Sequence, residues 1–367
     1  MKKTPLFSFH QENSAKIIDF HGWALPLYYS GANNEHLAVR NNVGLFDVSH
    51  MGEVRVKGAN ALTFLNTLLT CNLDKVKNFQ AVYCMMLNDL GGIIDDVICY
   101  RISSQEAFLC INAVNISKKF SWILKQQKKY NFELLDISNE SDDWAQVAIQ
   151  GPFAQKFISG IYNDDNFKIK KFYFANKILP NSTCQSIVAR TGYTGENGFE
   201  IFINKENIQV LLSRIDEIKK QIPLTLCGLS ARDSLRVEAG YCLHGQDIHE
   251  DINPIEANLE WTLKFNKKES FVGKDKLLFY KNNKMITKKF IGLKINGRRI
   301  ARTNDIIYMN DKKIGFISSG VFSPYLKHPI ALGYLDGIDP NGIDKVNVKI
   351  RGLLCEAQIQ TPPFFSK

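Results

Sequence analysis

Apolar and polar positions follow two rhythms along this chain. GEVRVKG (52–58) alternates with period two and predicts a strand, and residues 59–69 carry Ala and Leu at helical spacing and predict a helix. AVYCMML (81–87) and IIDDVICYRI (93–102) flank Asn88-Asp89-Leu90-Gly91-Gly92, a turn cluster between two β-rich runs, so the pair reads as a hairpin. AFLCIN (107–112) adds a third strand. Residues 115–129 read as a helix whose apolar face is Phe120, Ile123 and Leu124. AQVAIQGP ends a strand at Gly151-Pro152, and a helix begins near the proline, whose missing amide hydrogen is tolerated in a first turn. SIVARTGYTGENGFEIFI (186–203) holds two short strands around a glycine-rich loop, and residues 205–221 form an amphipathic helix. Ser230 and Asp233 have the spacing of a capping box with Asp in place of Glu, and Gly240 is placed to end the helix that they start.

Past residue 280 the helical rhythm stops. KKFIGLKI, IIYMN, KKIGFISSG, IALGYL and VNVKIRGLLCEAQIQ follow each other as short β runs, with Asn310-Asp311 in a hairpin turn. Closely spaced strands with Gly and Pro punctuation predict a small antiparallel barrel or sandwich, and a domain boundary near residue 280.

A length of 367 residues predicts two or three domains, and 24 Phe with 13 Tyr supply the large apolar side chains that disordered chains lack. No apolar run approaches the ~18 residues of a membrane span. The start, MKKTPLFSFHQENSAK, is interrupted by polar residues before any signal-type apolar stretch, so the expectation is a soluble, unprocessed, cytoplasmic protein. The eight cysteines never come closer than eleven residues apart, which leaves no C-x-x-C pair and reads as buried small hydrophobes in a reducing compartment. His244, Asp247, His249 and Asp251 crowd together either as a metal site or, more commonly, as a polar loop; no metal is expected. The net charge of +9 is local: residues 260–300 hold twelve Lys and Arg against three acids, which is itself +9. Such a run is either a solvated linker or a surface that steers an anionic partner, and no aromatic-interleaved basic motif points to nucleic acid.

Three groups of residues can carry chemistry. In GGIIDDVICY, period-two geometry puts Asp96, Ile98 and Tyr100 on one face and Asp95, Val97 and Cys99 on the other, so one aspartate faces inward or into a cleft. The pattern alone leaves open an exposed edge pair or a catalytic carboxyl. In RTGYTGENGFE, Gly192, Gly195 and Gly198 make a loop that lets backbone approach a ligand, and Glu200 enters an apolar strand between Phe199 and Ile201. It is a candidate to grip a planar donor edge such as an aminopyrimidine, with a plain hairpin as the alternative. Arg232 and Arg236 stand four residues apart on one helical face, suited to a carboxylated ligand or to a structural ion-pair network.

Taken together, FHGWALPLYYSG, EHLAVRNNVGLFDVSHMGEVRVKG, GGIIDD, AIQGP, RTGYTGENGFE, GLSARDSLRVEAGYCLHGQDI, EANLEWTLKF and FVGK resemble, in order and spacing, the aminomethyltransferase or T-protein family of the glycine cleavage system, over about residues 5–360. The resemblance implies an α+β, multi-domain clover-leaf with mixed α/β folate-binding domains and a C-terminal antiparallel β-barrel. It divides the chain into a folate-binding region at 1–280, built of roughly 1–52 with 140–280 and of 53–139, and a barrel at 281–367. It implies tetrahydrofolate as co-substrate, the lipoylated H-protein as partner, and no nucleic acid or membrane. The implied reaction passes the one-carbon unit of the aminomethyl-lipoyl arm to tetrahydrofolate, giving 5,10-methylenetetrahydrofolate, ammonia and dihydrolipoyl H-protein.

Residue by residue, the resemblance makes Asp96 the catalytic carboxyl and Asp95 structural. Glu200 then grips the pterin edge, Met51, Tyr83, Tyr100 and Tyr193 line the slot, Arg232 anchors the ligand, and Trp261 packs nearby. Departures from the family pattern are the tail PPFFSK, where Phe364 or Phe365 would replace a tyrosine, and Asn197, where Asp is common. The rival readings are a non-enzymatic folate-binding relative or a folate-dependent demethylase. Cys242 is misplaced for the cysteine motif of the former, and the chain carries no G-x-G-x-x-G of a flavin domain.

Overall fold

The computed structural model describes residues 1–365 and divides into two compact units. The first comprises Met1–Phe64, Leu73–Val82 and Ile98–Arg232; the second comprises Leu65–Asn72, Tyr83–Val97 and Asp233–Lys367.

In the first unit, a six-stranded sheet runs Phe174–Ile178, Gln185–Ala189, Gly198–Asn204, Trp144–Gln150, Gly44–Asp47 and Thr225–Cys227 from edge to edge. Trp144–Gln150 lies mid-sheet, which is why AQVAIQ reads as an almost uninterrupted buried run. Its odd-numbered residues Ala145, Val147 and Ile149 join Ile201 and Ile203 in packing against Phe157 and Ile161 of the helix Ala154–Tyr162 and Leu211 and Ile215 of the helix Ile208–Ile218. The pleat therefore turns Gln146, Gln150 and Glu200 to the other face. A three-stranded sheet, Lys2–Lys3, Trp23–Tyr28 and Lys16–Phe20, was not foreseen: Pro26 and the polar interruptions of FHGWALPLYY hide its period.

A five-stranded sheet orders Gln80–Leu87, Ile93–Arg101, Glu106–Ile111, Gly52–Lys57 and Asp136–Asn139. The pairings Tyr100↔Phe108, Glu53↔Cys110 and Arg55↔Phe108 place these side chains on one face. There Tyr100, Phe108 and Cys110 share a buried cluster with Phe174 and Phe202, and the Arg55 guanidinium lies 4.9 Å over the Phe108 ring. The predicted helix is Ile116–Lys129, but its buried residues are Lys119, Ile123, Gln126 and Gln127 rather than a purely apolar stripe. Lys119 donates to the Asn112 carbonyl and Gln127 to those of Phe132 and Leu135, so the polar groups close the loops at either end of the helix.

The second unit carries a closed antiparallel barrel in the order Lys288–Ile295, His328–Asp336, Lys312–Ser323, Ile306–Met309, Lys345–Ile350 and Leu353–Gln360. Asn310-Asp311 makes the expected tight turn, both residues left-handed at φ +48° and +62°. Arg351-Gly352 makes a second one at +49° and +84°, so the run VNVKIRGLLCEAQIQ is a hairpin of two strands. The helix Leu229–Ala239 ends at Gly240 (φ +75°) as expected, but it starts before Ser230, which rules out the capping-box reading.

The basic run 260–300 is not a linker. It holds the 3₁₀ turn Glu260–Thr262, the helix Lys274–Asn282 and the first barrel strand. Lys267 is buried within it and donates to the carbonyls of Asn66, Leu69 and Cys71, the last at 2.7 Å. Burial pulls its ammonium pKa down to about 8. Among the described residues, no helix is long and apolar enough to cross a membrane.

Candidate active site

In the second unit the GGIIDD turn explains itself. Asn88 Oδ1 accepts from the amides of Leu90 (3.0 Å) and Gly92 (2.9 Å), and a Cβ on Gly92 would lie 1.7 Å from the carbonyl oxygen of Glu250. Ile93 N donates to Ile252 O at 3.0 Å, which locks the register of the strand that carries both aspartates. Asp95, Val97 and Cys99 are fully buried, and Asp96 stands on the half-buried alternate face. Asp95 lies 3.8 Å from His244 Nδ1. Asp96 Oδ2 accepts from the Tyr83 hydroxyl at 2.9 Å. The Tyr83 ring stacks on Trp261 (centroids 5.9 Å apart, 27° between planes), and Trp261 is 60% exposed. Asp96, Tyr83 and Trp261 thus form one continuous chain of contacts.

In the first unit, Glu200 is buried and held at both oxygens: Oε1 accepts from Gln146 Nε2 at 3.3 Å and Oε2 from Thr191 Oγ1. Burial pushes its carboxyl pKa up, while Thr191, the Arg232 charge and Gln146 act in the opposite direction. The Arg232 guanidinium sits 4.6 Å from the centre of the Tyr193 ring. Tyr100 is 1% exposed, its ring edge-on to Phe174 and Phe202, and half-buried Met51 packs on the same cluster. His50 is buried, and its pKa falls to about 4 through burial and the Arg232 charge, so its imidazole is neutral at physiological pH.

Two expectations change. The glycines of RTGYTGENGFE serve an internal side chain: a Cβ on Gly192 would lie 2.1 Å from Gln150 Oε1, and one on Gly198 2.3 Å from Gln150 Nε2. Gln150 Nε2 donates to the Thr191 carbonyl and Gln150 Oε1 accepts from Thr194 Oγ1, which fixes the loop that presents Glu200. Asn197 in the same loop accepts from Arg190 Nη2 at 2.9 Å. The paired arginines also separate. Arg236 is fully buried in an ion-pair network with Asp247 and Asp233 and donates to Ser319 Oγ at 2.8 Å, so it is structural. Asp247 also accepts from Ser318, Ser319 and Leu243 N, whereas His249 and Asp251 lie side by side at the surface. Among the described residues, no group of three or more His, Cys, Asp or Glu could hold a metal ion. Phe364 is buried among Tyr334 and Phe290, and the Phe365 ring stands edge-on to Tyr325.

Sequence reasoning missed three residues. Gln146 and Thr191 hold Glu200, and the polar positions 146 and 150 of a buried strand were the available signal. Glu53 is 1% exposed, and among the described residues neither carboxyl oxygen has a hydrogen-bond partner. Burial pushes its pKa well above the usual carboxyl range, and the charges of Glu140 and Asp142 add to the rise, so both causes favour the neutral form.

An accessible carboxyl oriented by a phenol can hold an amine or a proton, and a buried carboxyl beside an aromatic cluster can recognise a planar donor edge. Residues 6–267 match the family model described as the GCVT N-terminal domain, and residues 288–366 match the glycine cleavage T-protein C-terminal barrel domain. The chain therefore belongs to the glycine cleavage T-protein family of aminomethyltransferases. It is 41% identical to an aminomethyltransferase of Thermotoga sp. (strain RQ2), covering 100% of this chain and 98% of that one. It is 42% identical to one of Caldanaerobacter subterraneus subsp. tengcongensis, over 100% and 96%. Among solved structures it is similar to glycine cleavage system aminomethyltransferase T from Bartonella henselae, with a TM-score of 0.88, 31% identity, and coverage of 99% of this chain and 98% of that chain.

Proposed function

We propose that this aminomethyltransferase uses tetrahydrofolate to accept the one-carbon unit of an aminomethylated lipoyl arm carried by the H-protein, in the cytoplasm. The products are 5,10-methylenetetrahydrofolate, ammonia and dihydrolipoyl H-protein. The observation that carries this reading is the different setting of the two carboxyls. Glu200, buried beside Phe202 and Tyr100 and held by Gln146 and Thr191, suits the donor edge of a pterin. Half-buried Met51, Tyr193 and Arg232 complete that recognition surface, and Tyr100, buried behind it, packs against Phe174 and Phe202 and leaves no face of its own to a ligand. Asp96 is the accessible carboxyl, oriented by Tyr83, whose ring is backed by Trp261.

Tetrahydrofolate supplies the nucleophilic amine. Asp96 hydrogen-bonds that amine, orients it and stabilises positive charge developing near it. Tyr83 limits Asp96 to one orientation by occupying Oδ2. Exposed Lys264, Lys268, Lys281 and Lys284 of the basic stretch attract the anionic glutamate tail or the H-protein surface, an effect that weakens as salt screens it.

The test measures ammonia release and methylenetetrahydrofolate formation by the full chain. Both are expected only when aminomethylated H-protein and tetrahydrofolate are supplied together. Tetrahydrofolate binding with no ammonia release would favour the non-enzymatic alternative, and turnover of a methylated amine without H-protein would favour the demethylase.

A further inference from the structure

Within the second unit, both members of the aromatic stack beside Asp96 hang from one loop. The helix Ala61–Leu68 ends there, and the last carbonyls of a helix have no partner within it. Val272 N donates to Thr67 O at 3.1 Å, and the Lys267 ammonium donates to the carbonyls of Asn66, Leu69 and Cys71, one for each of its three hydrogens. The Lys267 side chain is buried, with its Nζ 5.0 Å from the centre of the Phe271 ring. Thr70, set among those carbonyls, bonds to both halves of the stack. Its amide donates to Met85 O at 3.1 Å and its Oγ1 accepts from Met85 N at 3.0 Å, two residues along the strand from Tyr83. Its carbonyl accepts from Lys264 N at 3.0 Å, and Lys264 Nζ reaches back to Trp261 O at 2.7 Å.

We infer that Lys267 is a positioning residue: its ammonium fixes the 66–71 loop so that Tyr83, backed by Trp261, keeps its hydrogen bond to Asp96. Lys267 acts through Thr70, which holds the strand of Tyr83 on one side and the turn of Trp261 on the other. A buried ammonium is tolerated only where its hydrogens are accepted, and a donorless side chain at 267 would leave three inward-turned carbonyls unsatisfied. Because the influence on turnover passes through the Tyr83 hydroxyl, it is bounded by the worth of that one hydrogen bond, about two- to tenfold in kcat.

The same arrangement makes the influence depend on pH. Burial is the largest effect on the Lys267 ammonium and pulls its pKa down to about 8; the Lys274 charge acts the same way, and Cys71, Cys84 and Glu269 oppose it. Above that value the neutral amine offers two hydrogens and a lone pair to three carbonyls, so one contact turns repulsive and the loop loosens. The effect on turnover rests on the proposed reaction. The hold of Lys267 on its loop does not, and amide hydrogen exchange reads that hold separately.

The experiment compares the full wild-type chain with Lys267→Met, Tyr83→Phe and the double variant, measuring kcat, tetrahydrofolate affinity and hydrogen exchange. Lys267→Met, close in length and without a donor, is expected to lower kcat by about two- to tenfold and to leave affinity within about twofold of wild type. The double variant is expected to match Tyr83→Phe within about twofold, because the hydroxyl through which Lys267 acts is already gone. Losses that multiply in the double variant would mark a general structural role and overturn the inference, as would wild-type kcat in Lys267→Met. Exchange in Lys267→Met should quicken in peptides covering 69–73, 83–87 and 261–267 and hold steady in the barrel strand Lys345–Ile350. Unchanged exchange in those three segments would show that Lys267 does not hold the loop. Should Lys267→Met fail to fold, pH decides: wild-type kcat falls above about pH 8 by up to about tenfold and that of Tyr83→Phe lacks this fall, whereas parallel profiles overturn the inference. Quickened exchange in Lys267→Met with no ammonia release by the wild type would count against the proposed reaction alone.

Discussion

Asp96 and Glu200 are both carboxyls on strands with apolar neighbours, yet their surroundings differ. Glu200 is buried, satisfied at both oxygens, and biased by burial toward its neutral form. Asp96 is half-buried and bonded by the hydroxyl of a tyrosine whose other face carries an exposed tryptophan. A group that must read a ligand gains from rigidity. One that must meet a reacting amine gains from access.

The strongest way to sharpen the contrast between binding and scaffold uses the two arginines. Arg236→Met leaves Asp247 buried without its counter-charge and is expected to cost about 3–5 kcal/mol of stability in denaturant unfolding. Arg232→Met, at a half-buried position, is expected to change stability by less than about 1 kcal/mol and to weaken tetrahydrofolate binding instead. Comparable losses of stability in both would erase the distinction.

Next in size, Glu200→Ala leaves the buried Thr191 hydroxyl and Gln146 amide without their shared acceptor and removes the proposed contact to the ligand. Titration calorimetry should show tetrahydrofolate affinity falling by about 1.5–3 kcal/mol, with a smaller change in kcat. Tyr83→Phe removes one donor to Asp96 and should lower kcat by about two- to tenfold while affinity holds. A Tyr83→Phe effect confined to affinity would mean that the two carboxyls share one task.

The smallest effect concerns pH. Glu53 has a raised pKa in the folded state, so above about pH 4.5 the unfolded chain releases a proton that the folded chain keeps. Its contribution to stability is therefore intact below that value and is lost as pH rises toward the folded pKa. Glu53→Gln is neutral throughout, and its unfolding free energy should decline less than wild type between about pH 5 and pH 8. Parallel curves would show that Glu53 titrates normally.

Much of this arrangement was legible from residue patterns. The Asn88 to Gly92 turn, the alternation across Asp95 and Asp96, and the Asn310-Asp311 turn all follow from local chemistry, and all stand in the structure. What stayed hidden depends on partners distant in sequence. The glycines of the 190–200 loop signalled close approach, but the group that approaches is Gln150, about forty residues earlier. Arg232 and Arg236 share a helix and a spacing; only the Asp247 and Ser319 contacts mark the second as structural. Lys267 reads as one charge in a basic run until three carbonyls from residues 66–71 surround it.

The division of labour meets its most direct test in Asp96→Asn, with turnover and tetrahydrofolate affinity measured on the same preparation. Loss of about 2–4 kcal/mol of transition-state stabilisation, roughly 30- to 1,000-fold in kcat, with affinity within about threefold of wild type is the predicted result. Wild-type kcat in the variant, or a loss confined to affinity, would contradict the role assigned to Asp96.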